Sequence, residues 1–169
     1  KPTLSLQLLE QYVGKAAFKS ATQRYFNEWK FKHPNPAACQ EVFERALDQK
    51  LDWLFKDLLQ SNRRPDYGIK GIKRSAGATE IWLENKGSVD HPFPISWLKD
   101  GQEIETKWIA GFGKDTSIIW KGAETGRFVL DAHGLTPDLN SQNNSSRING
   151  GFGSGRPIRL ALFPQVLAA

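Results

Sequence analysis

The hydrophobic period of this chain changes once, at Pro65, and that change limits its fold more than any other feature. Before Pro65 the large apolar residues recur every three or four positions, as on one face of a helix. After it they alternate in short runs rich in β-branched and aromatic residues, the period of half-buried strands. Helices followed by strands, with no interleaving, predict an α+β chain: an N-terminal helical bundle and then an antiparallel β-sandwich.

Thr3 stands where it could N-cap the first helix, whose apolar face runs Leu4, Leu8 and Tyr12 with Leu9 and Val13 beside it, and Gly14 supplies the stop. A second helix carries Phe18, Ala21, Tyr25 and Trp29 on one stripe. His33-Pro34 breaks the pattern, and Asn35-Pro36 restarts it as N-cap and first helical residue. Cys39, Val42, Phe43, Ala46 and Leu47 then form the buried stripe of a third helix. The segment Leu51 to Leu59 is apolar on more than one side, which predicts deep burial between the helices and the strand region.

Six strands are expected, at Tyr67 to Lys73, Thr79 to Asn85, Phe93 to Lys99, Glu103 to Ile109, Thr116 to Trp120 and Arg127 to Asp131. Turn residues such as Ser75-Ala76-Gly77 and Lys99-Asp100-Gly101 separate them. After Pro137 the chain turns polar and then glycine-rich, which reads as loop or linker, with a last strand-like run from Ile158 to Phe163. The expected divisions are a helical segment over 1–62, a sandwich over 65–147, and a Gly-rich linker with a final strand over 148–169.

Charge and composition exclude several classes of function. The net charge is +5, but the excess is spread along the chain, whereas nucleic-acid binding needs it on one face. The densest basic cluster, Arg63, Arg64, Lys70, Lys73 and Arg74, reads as a solvated surface, so no nucleic-acid partner is expected. No apolar run approaches the ~20 residues of a membrane span. A single cysteine, Cys39, rules out an internal disulfide and a cysteine-rich metal site, and it reads as structural. The chain lacks an initiator Met, and Lys1 opens directly into a helical pattern; both ends read as cut points in a longer protein.

No constellation for chemistry stands out. His33, His91 and His133 are the three histidines; none has a second at i+4, H-E-x-x-H is missing, and all three read as turn residues. Gly111 to Gly113 and Gly151 to Gly155 lack the flanking pattern of a phosphate loop. Asp131, Asp138, Asn140, Asn143 and Asn144 could offer oxygens to calcium but lack EF-hand spacing, and turn capping accounts for them. Trp82, Trp97, Trp108 and Trp120 fall in four separate expected strands. A stacking platform is one reading and sandwich core the favoured one, with Trp82, between Glu80 and Glu84, the best candidate for exposure.

Two stretches carry a resemblance. The first is Lys1-Pro2-Thr3-Leu4-Ser5-Leu6, then Gly14, Phe18 and Tyr25-Phe26-Asn27-Glu28-Trp29-Lys30-Phe31-Lys32-His33-Pro34. The second is Leu51-Asp52-Trp53-Leu54-Phe55, Leu58 and Pro65-Asp66-Tyr67. In order and spacing they resemble the aminopeptidase N-type (gluzincin) zinc metallopeptidases, bacterial branch, in the helices that come after the metal site and the passage into a β-domain. Leu130-Asp131, Pro137-Asp138-Leu139-Asn140 and Asn143-Asn144 are similar to the phrase that closes that β-domain. Leu54 stands where the family often has an aromatic residue, and Leu58-Leu59 where it often has a second Trp.

The resemblance implies a fragment that ends a thermolysin-like catalytic domain and lies C-terminal to the zinc motif. A parent of this kind would hold zinc through H-E-x-x-H and a downstream Glu and hydrolyse peptides with metal-activated water. The family's transition-state Tyr sits in "Y-x-K-G/P", whose last two letters match Lys1-Pro2, so it too would precede the chain. No catalytic, cofactor-binding or metal-binding residue carries over, and the chain alone is expected to be inactive and to need no cofactor. Its partners would be the remainder of the metallopeptidase and, through it, a peptide substrate. Its role would be to wall the cleft and brace the catalytic domain; an independent β-sandwich module for carbohydrate or protein is the alternative. The stripe Leu4, Leu8, Leu9 and Tyr12 is wider than three short helices need, which predicts a partly exposed face and a homodimer produced by excision.

Overall fold

The computed structural model describes residues 2–75 and 77–148 of the 169-residue chain. The glycines at 151–155 and the strand expected at Ile158 to Phe163 lie outside the described residues.

Three α-helices come first: α1 (Pro2–Val13), α2 (Lys15–Trp29) and α3 (Pro36–Leu47). The helix already runs at Thr3, so Thr3 is not its N-cap; Pro2 opens it, where the missing N–H costs nothing. Gly14 makes the whole corner between α1 and α2. Its N–H donates to the Glu10 carbonyl at 2.9 Å, its own carbonyl accepts from Phe18 at 3.0 Å, and its φ of 87° is one that a side chain rarely adopts. Asn35 caps α3 as expected, its Oδ1 accepting from the Ala38 N–H at 2.8 Å with Pro36 next in the chain.

The fourth segment, α4 (Trp53–Leu59), winds as a π-helix, and the Gln60 N–H reaches back five residues to the Phe55 carbonyl at 3.1 Å. Its apolar residues divide between two cores. Leu54 and Phe55 join Leu51, Leu9, Ala21 and Phe43 among the helices, while Leu58 packs with Leu8 and Val89.

Seven strands complete the described residues: β1 (Tyr67–Ser75), β2 (Ala78–Asn85), β3 (Phe93–Lys99), β4 (Gln102–Ile109), β5 (Asp115–Lys121), β6 (Arg127–Leu130) and β7 (Ser145–Arg147). They form two antiparallel sheets, ordered β1-β2-β5 and β4-β3-β6-β7. Facing residues Ile81, Leu83, Phe93, Ile95, Trp120 and Phe128 fill the space between them. In β2 the alternation holds, with Thr79, Ile81 and Leu83 inside and Trp82 outside.

The polar stretch after Pro137 is not all loop. Ser145–Arg147 pairs with β6, and Ile148 is buried in the sandwich core with its N–H on the Gly126 carbonyl at 3.0 Å. Three residues are too few for periodicity to reveal a strand; the free edge of β6 recruits them. No helix among the described residues is long and apolar enough to cross a membrane.

Candidate functional site

The helices meet the sandwich at a small junction built around one loop. Its keystone is the loop from Lys86 to Pro92, between β2 and β3. Asn85, at the end of β2, anchors that loop: its amide donates to the Phe112 carbonyl at 2.8 Å and to Asp90 Oδ1 at 3.0 Å, and its Oδ1 accepts from the Gly87 N–H at 2.9 Å. The linker out of α4 zips along the same loop. Lys86 N–H donates to the Asp66 carbonyl at 2.8 Å and Ser88 N–H to the Arg64 carbonyl at 3.0 Å. The approach is so close at Gly87 that a Cβ there would lie 2.5 Å from the Asp66 nitrogen, which only glycine permits.

Held this way, the loop delivers Val89 and His91 to the helices. Val89 completes the small core of Leu8 and Leu58. His91 is fully buried, its ring 6.3 Å from that of Trp53 in α4 and 5.1 Å from that of Tyr67 in β1. Tyr67 stacks on Phe93 at 4.2 Å and donates its hydroxyl to the His91 carbonyl at 3.2 Å. Tyr12 of α1 lies between Trp53, at 6.5 Å, and Trp108 of β4, at 5.1 Å. An unbroken run of aromatic rings therefore links the first helix to both sheets.

Burial sets the electrostatics here. It pushes the His91 imidazole down to about 4, so the ring is neutral at pH 7. Nδ1 lies 2.8 Å from the Pro92 carbonyl, which can only accept, so Nδ1 carries the proton and Nε2 is buried with no hydrogen-bond partner among the described residues. Burial likewise pushes the Tyr67 phenol up to about 12. Both groups are therefore uncharged at pH 7.

The sequence-derived candidates are dispersed. His33 is exposed, and His133 sits on the surface with Nε2 3.2 Å from Glu103 Oε2. His91 lies in the β2–β3 loop before Pro92, as a turn residue would, and tertiary packing buries it there. The Cys39 thiol is half-buried in α3, and burial raises its pKa, which disfavours the nucleophilic thiolate.

The oxygen-rich residues after β6 cap turns. Asp131 accepts from the Leu135 and Thr136 N–H groups at 2.9 and 2.6 Å, Asp138 from Asn140 at 2.7 Å, and Asn140 from Gln142 at 3.2 Å. Asn143 and Asn144 donate to Asp66 and Asp138 at 3.1 and 3.3 Å. Among the described residues no three His, Cys, Asp or Glu side chains converge as a metal site would need. In the basic cluster, Arg63 pairs with Asp57 at 2.8 Å and Lys70 with Asp115 at 3.2 Å.

Of the four strand tryptophans Trp82 is the most exposed, as its charged neighbours suggest. Trp120 is wholly buried, Trp97 and Trp108 are half-buried, and Trp82 is exposed at 39%. Trp82 lines a shallow cleft of about 420 Å³ on the outer face of β1-β2-β5. A second cleft of about 440 Å³, by Tyr12, Ala17 and Gln49 at the helix ends, carries Asp48 as its one carboxylate.

Sequence reasoning missed Glu44 and Asn85. Glu44 accepts from Gln40, Lys50 and the Leu51 N–H at 2.9, 3.0 and 2.9 Å. Burial opposes its charge, but these donors outweigh burial and hold its carboxyl below the usual range. It thereby shapes the corner from α3 into α4. Neither residue lies in a motif; each is identified only by what the fold brings around it. No protein-family model and no curated protein matches this chain.

Proposed function

We propose that this chain is a non-catalytic bracing segment of an aminopeptidase N-type zinc metallopeptidase. The helices would wall one side of the peptide cleft, and the sandwich would hold them in place. The observation that carries this reading is the aromatic junction from Tyr12 through Trp53 and His91 to Tyr67, Phe93 and Trp108. A brace needs a stiff joint between its two parts, and buried aromatic contacts with a hydrogen-bonded linker supply one. The phrases shared with the family run through both sides of this joint, from Trp53 to Pro65-Asp66-Tyr67. Zinc and the peptide substrate would belong to the part of the protein preceding Lys1.

The experiment is to sequence the coding region upstream of Lys1, express the whole protein and assay it with aminoacyl reporters. An H-E-x-x-H motif, one zinc per chain and chelator-sensitive cleavage are expected. The described residues expressed alone should bind no zinc tightly and cleave nothing, since catalytic zinc needs about three protein ligands. An upstream region without the motif, or stoichiometric zinc on the isolated chain, would overturn the reading.

A further inference from the structure

The outer face of β1-β2-β5 carries a cleft that bracing does not use. Trp82 stands at its centre, opposite Gly71 of β1 and Ser117 of β5. Two features of β1 shape the place around the indole. A β-bulge between Ile69 and Gly71 inserts Lys70 as an extra residue, so Gly71 falls opposite Trp82 while Ile72 still pairs with Ile81. The missing side chain at Gly71 then gives the indole room: a Cβ there would lie 3.0 Å from Trp82 Cε3. The bulge thus places a cation and a gap side by side next to the same ring.

Lys70 reaches across β2 to β5, where its ammonium meets Asp115 Oδ2 at 3.2 Å. The pair forms one wall of the cleft, and Ser117, directly opposite Trp82, adds a hydroxyl beside it. The lining therefore combines an exposed aromatic ring, a charge-balanced donor and acceptor, and one hydroxyl. The volume of about 420 Å³ suits a small molecule.

We propose that this cleft binds a neutral pyranose ring of an oligosaccharide. A pyranose has an apolar C–H face that stacks on an indole and a rim of hydroxyls that both donate and accept. Lys70 and Asp115 supply one strong donor and one strong acceptor about a hydrogen bond apart, spaced for adjacent hydroxyls. Because the two charges cancel, the cleft has no excess attraction for a phosphate, a nucleotide or a cationic peptide. The site is independent of the peptidase reading and would serve to hold the protein on a glycan.

The test is calorimetric titration of the chain with three neutral hexaoses: β-1,4-glucose, β-1,3-glucose and β-1,4-N-acetylglucosamine. At least one should bind with a Kd of about 1 mM or tighter, and Trp82→Ala should weaken it at least about tenfold. Lys70→Ala and Asp115→Ala should each weaken it several-fold, while Ile104→Ser, on exposed Ile104 of the other sheet, should leave it unchanged. Thermal melts of Lys70→Ala, Asp115→Ala and Ile104→Ser should match the parent chain, since those side chains are exposed. Trp82→Ala, which removes a ring packed over Gly71, should melt lower in one cooperative transition and is titrated well below its midpoint. Absence of binding by all three sugars at about 10 mM, or undiminished binding by Trp82→Ala, overturns the proposal. Sugar-independent, Trp82-dependent self-association in sedimentation would assign the face to protein contact and overturn it equally.

Discussion

His91 shows how one residue can tie acid stability to the joint. Its ordinary pKa is 6.5, and burial lowers it to about 4 in the folded chain. Between those values the unfolded chain binds a proton that the folded chain refuses, so stability falls as pH drops through this window. The contribution is fully present above pH 6.5 and lost below about 4. A gap of this size corresponds to roughly 3 kcal/mol. Urea melts of the parent chain should therefore lose about that much between pH 7 and pH 4, and His91→Gln should flatten the slope over that window. Equal slopes in the two proteins would mean that other groups set the acid limit.

At the scale of elements, helix ends and α4 do most of the positioning. The Asn35 side chain satisfies one otherwise unpaired N–H at the start of α3, so Asn35→Ala should cost about 1 kcal/mol in thermal or chemical melts. Leu58 lies on the face of α4 turned to the sandwich, fully buried against Leu8 and Val89. Leu58→Ala should cost ~2–5 kcal/mol, because it leaves a cavity among Leu8, Val89 and Trp53. A loss under about 1 kcal/mol would show that α4 is loosely seated and that the joint is not stiff. Trp53 itself is half-buried and touches both the helical core and the junction core.

For the whole molecule, the joint predicts one cooperative transition for helices and sandwich. Far-UV circular dichroism of the helices and the fluorescence of the tryptophans should report coincident midpoints in denaturant. Two separated transitions would mean that the linker and Val89 fail to couple the parts. The same packing divides the α1 stripe that the sequence expects to be partly exposed. Leu8 and Leu9 are fully buried, Tyr12 is engaged with Trp53 and Trp108, and of the stripe only Leu4 is exposed, at 37%. Leu8→Lys would accordingly bury an unpaired charge and unfold the joint, where the sequence alone suggests a harmless surface change.

Local rules are legible from residue order wherever a structural unit is closed by near neighbours. The change of period at Pro65 separates helices from strands, Gly14 marks a corner, Asn35-Pro36 a cap, and the charged neighbours of Trp82 its exposure. Each depends on interactions within about four residues or on one face of one element. What only the tertiary structure decided involves partners far apart in sequence. Burial of His91 depends on Trp53 and Tyr67, the β7 strand on the open edge of β6, and the seating of Leu8 on the distant Val89. Glu44 and Asn85 belong to the same class, since their value lies in the backbone groups the fold turns toward them. Period and propensity describe which face of an element is apolar; they carry no information about which distant surface will cover it.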